Sequence, residues 1–153
     1  MKKLLQVFAL FIFGFSAKSQ DALLIANIDS IVSQIDKVEK LDAKFRMAFN
    51  YYEAPTSITN SSKIIRKYSH GTWDFVQTFY LKDSLLILVK ETGSSYFLKS
   101  TKNCTYYYKD RSLIKYTDPS IDDNDKVEIQ RKQIQDFEDA KRQWYQYLTK
   151  HGA

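Results

Sequence analysis

FYLKDSLLI, residues 79–87, and YYYKDRSLI, residues 106–114, align at a constant offset of 27 positions, with an aromatic pair, Lys-Asp and Leu-Ile coinciding. Aspartate tolerates a left-handed backbone, so each copy reads as strand, tight turn, strand, and the duplication implies two equivalent hairpins. Residues 73–81, 85–91, 96–100, 104–108 and 112–117 are strand-like, and the links between them are too short for crossover helices, which forces neighbours to run antiparallel. Upstream, Phe45, Met47, Phe49 and Tyr51 alternate with Lys44, Arg46, Ala48 and Asn50, a period of two that predicts one half-buried strand. Pro55 and the polar run 56–62 break it, and 64–68 reads as a second, shorter strand. The sum is one meandering sheet of six or seven strands.

Helices bracket this sheet. Leu24, Ile28, Ile31, Ile35 and Val38 recur at spacings of four and three, predicting an amphipathic helix over residues 21–41. After Asp118 and Pro119, Asp122, Asp123, Asn124 and Asp125 offer helix N-caps whose carboxylates complement the positive end of a helix dipole. Val127, Ile134, Phe137, Ala140, Trp144 and Leu148 then form the apolar stripe of a final helix of about 25 residues. At 1.5 Å per residue such a helix is ~37 Å long, so it crosses the sheet diagonally or runs past its edge. The fold class is therefore α+β: an N-terminal helix, a curved antiparallel meander containing two duplicated hairpins, and a long C-terminal helix packed on it. The competing architecture is a nearly closed barrel with a terminal helix outside.

Over residues 69–117 the hairpin pattern resembles the aromatic-aromatic-x-x-Asp/Asn-Gly-x-Leu-Ile units of a group of small, mostly uncharacterised exported bacterial proteins, and looks loosely like the strand-turn units of MORN-type repeats. The resemblance implies compartment and fold, and transfers no catalytic residue. Ser84 and Arg111 stand where that pattern has glycine. An ideal type I′ turn needs positive φ at both central positions, so a longer or bulged loop is expected.

The start of the chain reads as an address. Lys2 and Lys3 precede an apolar run of about a dozen residues ending near Phe15, and Ala17 and Ser19 supply small residues for a signal peptidase. The run is short of the ~20 residues that a bilayer-spanning helix needs. A cleaved signal over residues 1–19 is expected, with residues 20–153 forming a single domain that has no stable membrane span and is periplasmic or secreted. Cleavage would remove three of the 23 basic residues and none of the 18 acidic ones. The remaining charge is nearly balanced and mixed along the chain, which argues against nucleic acid as a partner.

Chemical motifs are sparse. Cys104 is the one cysteine, so no intramolecular disulfide is possible, and its setting suits a buried, small apolar role. His70 and Asp74 could orient an imidazole as general base for Ser69, but no nucleophile elbow accompanies them. The acidic run 118–125 lacks the glycine and terminal glutamate of a calcium loop, and no phosphate-binding glycine loop is present. No metal and no cofactor are expected.

What remains is aromatic. All eleven tyrosines lie outside the signal segment. Alternation along each strand puts Tyr106 and Tyr108 on one face and Tyr107 on the other, and splits Phe79 from Tyr80 in the same way. If both helices share one face, tyrosines on the other form a wet aromatic surface. The functional expectation is an exported, non-catalytic binding module for an unidentified protein or small molecule. Its candidate residues are Tyr80 and Tyr107 with the hairpin turns Lys82, Asp83, Lys109 and Asp110. Two alternatives are a carrier of an apolar ligand between sheet and helix, and a small hydrolase using His70 and Asp74.

Overall fold

A computed structural model describes residues 2–38, 40–55, 61–118 and 122–151. A helix α1 (Lys2–Val38) leads into seven strands: β1 (Ala43–Met47), β2 (Asn50–Ala54), β3 (Ser61–His70), β4 (Trp73–Lys82), β5 (Leu85–Ser95), β6 (Ser100–Lys109) and β7 (Ser112–Thr117). A 3-10 turn (Asp123–Asp125) precedes the final helix α2 (Lys126–His151). The strands pair antiparallel in sequence order, with β1 and β7 as free edges, so the sheet is an open meander and not a closed barrel.

Two strand expectations are corrected. The alternation over residues 44–51 is a hairpin: β1 and β2 meet at Ala48 and Phe49, with Ala48 at φ 52° and Met47 paired to Asn50. The turn shifts the phase of the alternation: Phe45 pairs with Tyr52 and Arg46 with Tyr51, so Tyr51 lies on the face opposite Phe45, and the residues at 49 and 51 continue the period of two in the sequence without sharing its face. Residues 96–99, expected to lie in a strand, form the turn between β5 and β6, closed by the Ser95–Ser100 pair.

The duplicated hairpins also turn differently from expectation. Both central residues have positive φ in each copy, 50° and 64° at Asp83 and Ser84, 50° and 68° at Asp110 and Arg111. These are two-residue loops of type I′ sense, formed without glycine. The irregularity sits inside the strand instead. Tyr80 pairs with Leu88 and Leu81 with Leu86, leaving Ile87 as the extra residue of a β-bulge. The second copy repeats it at the same offset: Tyr107 pairs with Lys115, Tyr108 with Leu113, and Ile114 is extra.

The helices pack on opposite faces of the sheet, which corrects the expectation that one face holds both. Phe137, Ala140 and Trp144 of α2 join Phe45, Tyr52, Ile64, Phe79, Leu81, Leu86, Val89, Tyr106, Tyr108 and Leu113 in the main core. On the other face Ile28, Val32 and Ile35 of α1 bury Tyr80 and Leu88, with Ile87, Tyr107 and Ile114 alongside. The bulges explain the sharing, because an extra residue lets Ile87 and Leu88 both point toward α1 while Leu86 and Val89 face α2.

Both helices cross the strands. Along α2, Gln130 accepts from the Leu113 amide of β7 at 3.0 Å, Phe137 meets Phe79 of β4 at 5.9 Å, and Trp144 meets Phe45 of β1 at 5.8 Å. The Gln130 side chain thereby occupies part of the exposed hydrogen-bonding edge of β7, where another chain could otherwise add a strand.

Candidate functional site

Cross-strand register assembles one continuous row on the α1 face. Lys63 pairs with Tyr80, Tyr80 with Leu88, Leu88 with Tyr107 and Tyr107 with Lys115, giving Lys-Tyr-Leu-Tyr-Lys across β3 to β7. α1 lies over this row and answers it with two carboxylates. The Tyr107 hydroxyl donates to Asp29 at 2.9 Å. The Tyr80 hydroxyl donates to Asp36 at 3.1 Å, and Asp36 also takes Lys63 at 2.7 Å and faces Lys90 at 3.8 Å. Burial opposes ionisation of Asp36, but Lys63, Tyr80 and Lys90 outweigh it and hold the carboxyl below its ordinary value. Burial, reinforced by Asp36, pushes the Tyr80 phenol well above its ordinary value. Tyr80 retains 4% of its surface, so it belongs to the α1 interface and not to an open face. Tyr107 is part-buried in that interface, with Lys115 5.7 Å over its ring.

The charged turn residues lie elsewhere. Lys82, Asp83, Lys109 and Asp110 are exposed, at the end of the sheet where β4 turns into β5 and β6 into β7. Beside them a pocket of about 80 Å³ opens between sheet and α2, with Leu86, Ile134 and Phe137 at its floor and Arg111, Glu138 and Lys141 at its rim. That is well below the ~300 Å³ of a typical small-molecule site. A shallow groove of about 420 Å³, open to solvent, runs between α1 and Lys115 along Ala22, Ile25 and Ala26.

On the α2 face a polar row separates the main core from the opposite end of the sheet. Arg66, Gln77 and Glu91 are successive cross-strand partners. Arg66 Nη1 donates to Asp136 Oδ1 at 2.8 Å and to Gln77 Oε1 at 3.2 Å, while Gln77 Nε2 donates to Glu91 Oε2 at 2.7 Å and Asp136 Oδ2 at 3.2 Å. Such a buried network fixes the position of Asp136, and with it α2, over β3 and β4.

Beyond that row lies an aromatic stack invisible to strand alternation alone. The Arg66 guanidinium sits 4.5 Å over the Tyr68 ring, Tyr68 stacks on Phe75 at 5.1 Å, and Phe75 on Trp73 at 6.0 Å. Gly93 makes room for it: a Cβ there would meet Phe75 Cε1 at 2.7 Å and Trp73 Cε3 at 3.2 Å. The stack leads to the base of the 96–99 turn, since Asp74 pairs with Ser94. At the tip Tyr96, Phe97 and Leu98 are 91%, 79% and 62% exposed. The Leu98 amide donates to Ser95 Oγ at 3.3 Å, which ties the turn to a buried side chain. At the same end of the sheet Phe49 is 90% exposed on the β1–β2 turn.

Asp74 accepts directly from the Ser69 hydroxyl at 2.6 Å, so its carboxylate engages the serine without an intervening imidazole. His70 and Trp73 flank a two-residue turn in which Gly71 takes φ 60°. Cys104 is buried, and burial together with Asp118 pushes its thiol up to about 11, where the unreactive thiol form dominates at neutral pH. Among the described residues no group of three or more potential metal ligands occurs, and no helix is long and apolar enough to cross a membrane. Comparison with known protein families, curated proteins and solved structures finds no match for the chain.

Proposed function

We propose that the chain is an exported, non-catalytic binding module that engages its partner through the aromatic end of the sheet. The observation that carries this reading is the 96–99 turn, where three consecutive large apolar side chains face solvent on a hydrogen-bonded loop. Isolated exposed apolar residues are ordinary, but a contiguous group marks an interaction site. The residues expected to bind, Tyr80 and Tyr107, are engaged by α1, so the binding surface moves to the opposite end, with Trp73 behind it. The hairpin turns at Lys82, Asp83, Lys109 and Asp110 then present charge away from the partner.

Export rests on the basic, apolar and small-residue order of residues 1–19. The test is mild crosslinking in the native host, followed by mass spectrometry of what a C-terminally tagged chain captures, with the mature N-terminus read from the same sample. Phe97→Ser with Leu98→Ser is expected to lose the captured species and keep the fold. Equal capture by this variant would contradict the assignment.

A further inference from the structure

From the exposed aromatic end of the sheet we infer a docking site for the surface of a lipid bilayer containing anionic headgroups. This rests on the reading that this end is the binding surface, and names its partner. The apolar groups are convex tips, not walls of a groove. Tyr96, Phe97 and Leu98 crown one turn, and Phe49 crowns another on the same end of the sheet. A folded protein partner would need separate pockets for two projecting tips, whereas an interface of headgroups and acyl chains yields around each. The residue types match that medium, with tyrosine and phenylalanine suited to the headgroup level and leucine to the acyl boundary.

Charge points the same way. Residues 92–102, around the turn, carry Lys99 and Lys102 and no carboxylate, and with Lys102 paired to Asp118 it is Lys99 that stands as the cation at the tip. Lys99 directly follows the apolar triplet, and the exposed Arg46 lies three residues before Phe49, so each tip has a cation beside it. Two acids at this end of the sheet are engaged within the fold: Asp118 with Lys102 at 3.0 Å and with the Tyr106 hydroxyl at 3.1 Å, Asp74 with Ser69. A cation on a flexible stem can reach phosphate while the neighbouring ring is immersed.

The experiment is flotation of the protein, purified as its native host produces it, with phosphatidylcholine vesicles and with phosphatidylcholine vesicles containing phosphatidylglycerol. The wild type is expected to float with both and more strongly with the anionic set, the difference shrinking as salt is raised. Phe97→Ser with Leu98→Ser in the same background is expected to lower partitioning about a hundredfold, the equivalent of withdrawing two apolar side chains from the interface. Circular dichroism and an unchanged Tm establish that the variant folds. Failure of the wild type to float with either vesicle, or equal flotation of the variant, overturns the inference. If vesicles fail while the tip variant still loses a crosslinked protein, the lipid partner is wrong and the surface stands. A wild-type dimer that the tip variant dissolves also overturns it, assigning the tips to a second copy.

Discussion

Asp29 and Asp36 stand seven residues apart on α1, and each accepts a hydrogen bond from the equivalent tyrosine of one hairpin repeat, Tyr107 and Tyr80. Seven residues advance a helix by about 10.5 Å. Two inter-strand spacings, the separation of β4 from β6, amount to about 9.6 Å. The 27-residue duplication therefore places two phenols at nearly the pitch of two helical turns, and α1 is seated across the strands by that match.

The two contacts should differ in weight. Tyr80 is buried and shares Asp36 with Lys63, so Tyr80→Phe is expected to cost about 1–2 kcal/mol. The Tyr107 contact is exposed, and Tyr107→Phe should cost less than about 1 kcal/mol. Urea denaturation of both variants, and of each combined with asparagine at its partner aspartate, measures the coupling. Equal costs at the two sites would contradict the assignment.

Acid should loosen α1 before the rest of the fold. Because Asp36 is held below its ordinary carboxylate value, its contribution is fully present above the unfolded value of about 4 and is lost as pH falls through the lower folded value. Hydrogen exchange in residues 24–38 should rise over that range while β4 and β5 stay protected. In Asp36→Asn this acid-dependent step should be absent, and its persistence would mean that another group controls it.

At alkaline pH the sign reverses. Burial raises the phenols of Tyr80, Tyr106 and Tyr108, so they stabilise the fold fully below the unfolded value of about 10 and that stability is lost as pH climbs further. Their phenolate absorbance should appear only together with cooperative unfolding. Titration of all eleven tyrosines in an intact fold would exclude the packing described.

The turns offer a paired test. Ser84 and Arg111 occupy equivalent left-handed positions at φ 64° and 68°, where glycine has no steric penalty. Ser84→Gly is expected to stabilise the protein by about 0.5 kcal/mol. Arg111→Gly should gain less, because Arg111 also pairs with Glu138 on α2, a surface ion pair worth about 0–1 kcal/mol. Thermal denaturation of the two variants side by side checks the order.

Gly93 tests the aromatic stack. Gly93→Ala puts a methyl group against Phe75 and Trp73, and the rings must move, at a cost of about 1 kcal/mol, with a changed near-ultraviolet dichroism. Phe75→Ala in the same chain should remove most of that additional cost.

Much of this architecture was legible in the chain. The 27-residue duplication identified the hairpins, and the stripe from Val127 to Leu148 identified α2 with nearly its observed length. Three features were not legible, each for a physical reason. Ala48 and Phe49 turn the chain without glycine, proline or an interruption of the alternation, so β1 and β2 read as one strand. Tyr96, Phe97 and Leu98 have the residue types of a strand, and only their pairing context makes them a turn. The distribution of helices over the two faces follows from the bulges at Ile87 and Ile114, which a hydrophobic pattern does not announce. With α1 placed on the tyrosine row, Tyr80 and Tyr107 become its seat, and the exposed aromatic surface lies at the far turns.

The most direct test is a photo-crosslinking amino acid introduced in the native host at position 97 and, separately, at position 107. Position 97 is expected to capture an external partner, with a lipid adduct if the partner is the bilayer, and position 107 to capture only α1 of its own chain. An external adduct at position 107 with none at position 97 would contradict this.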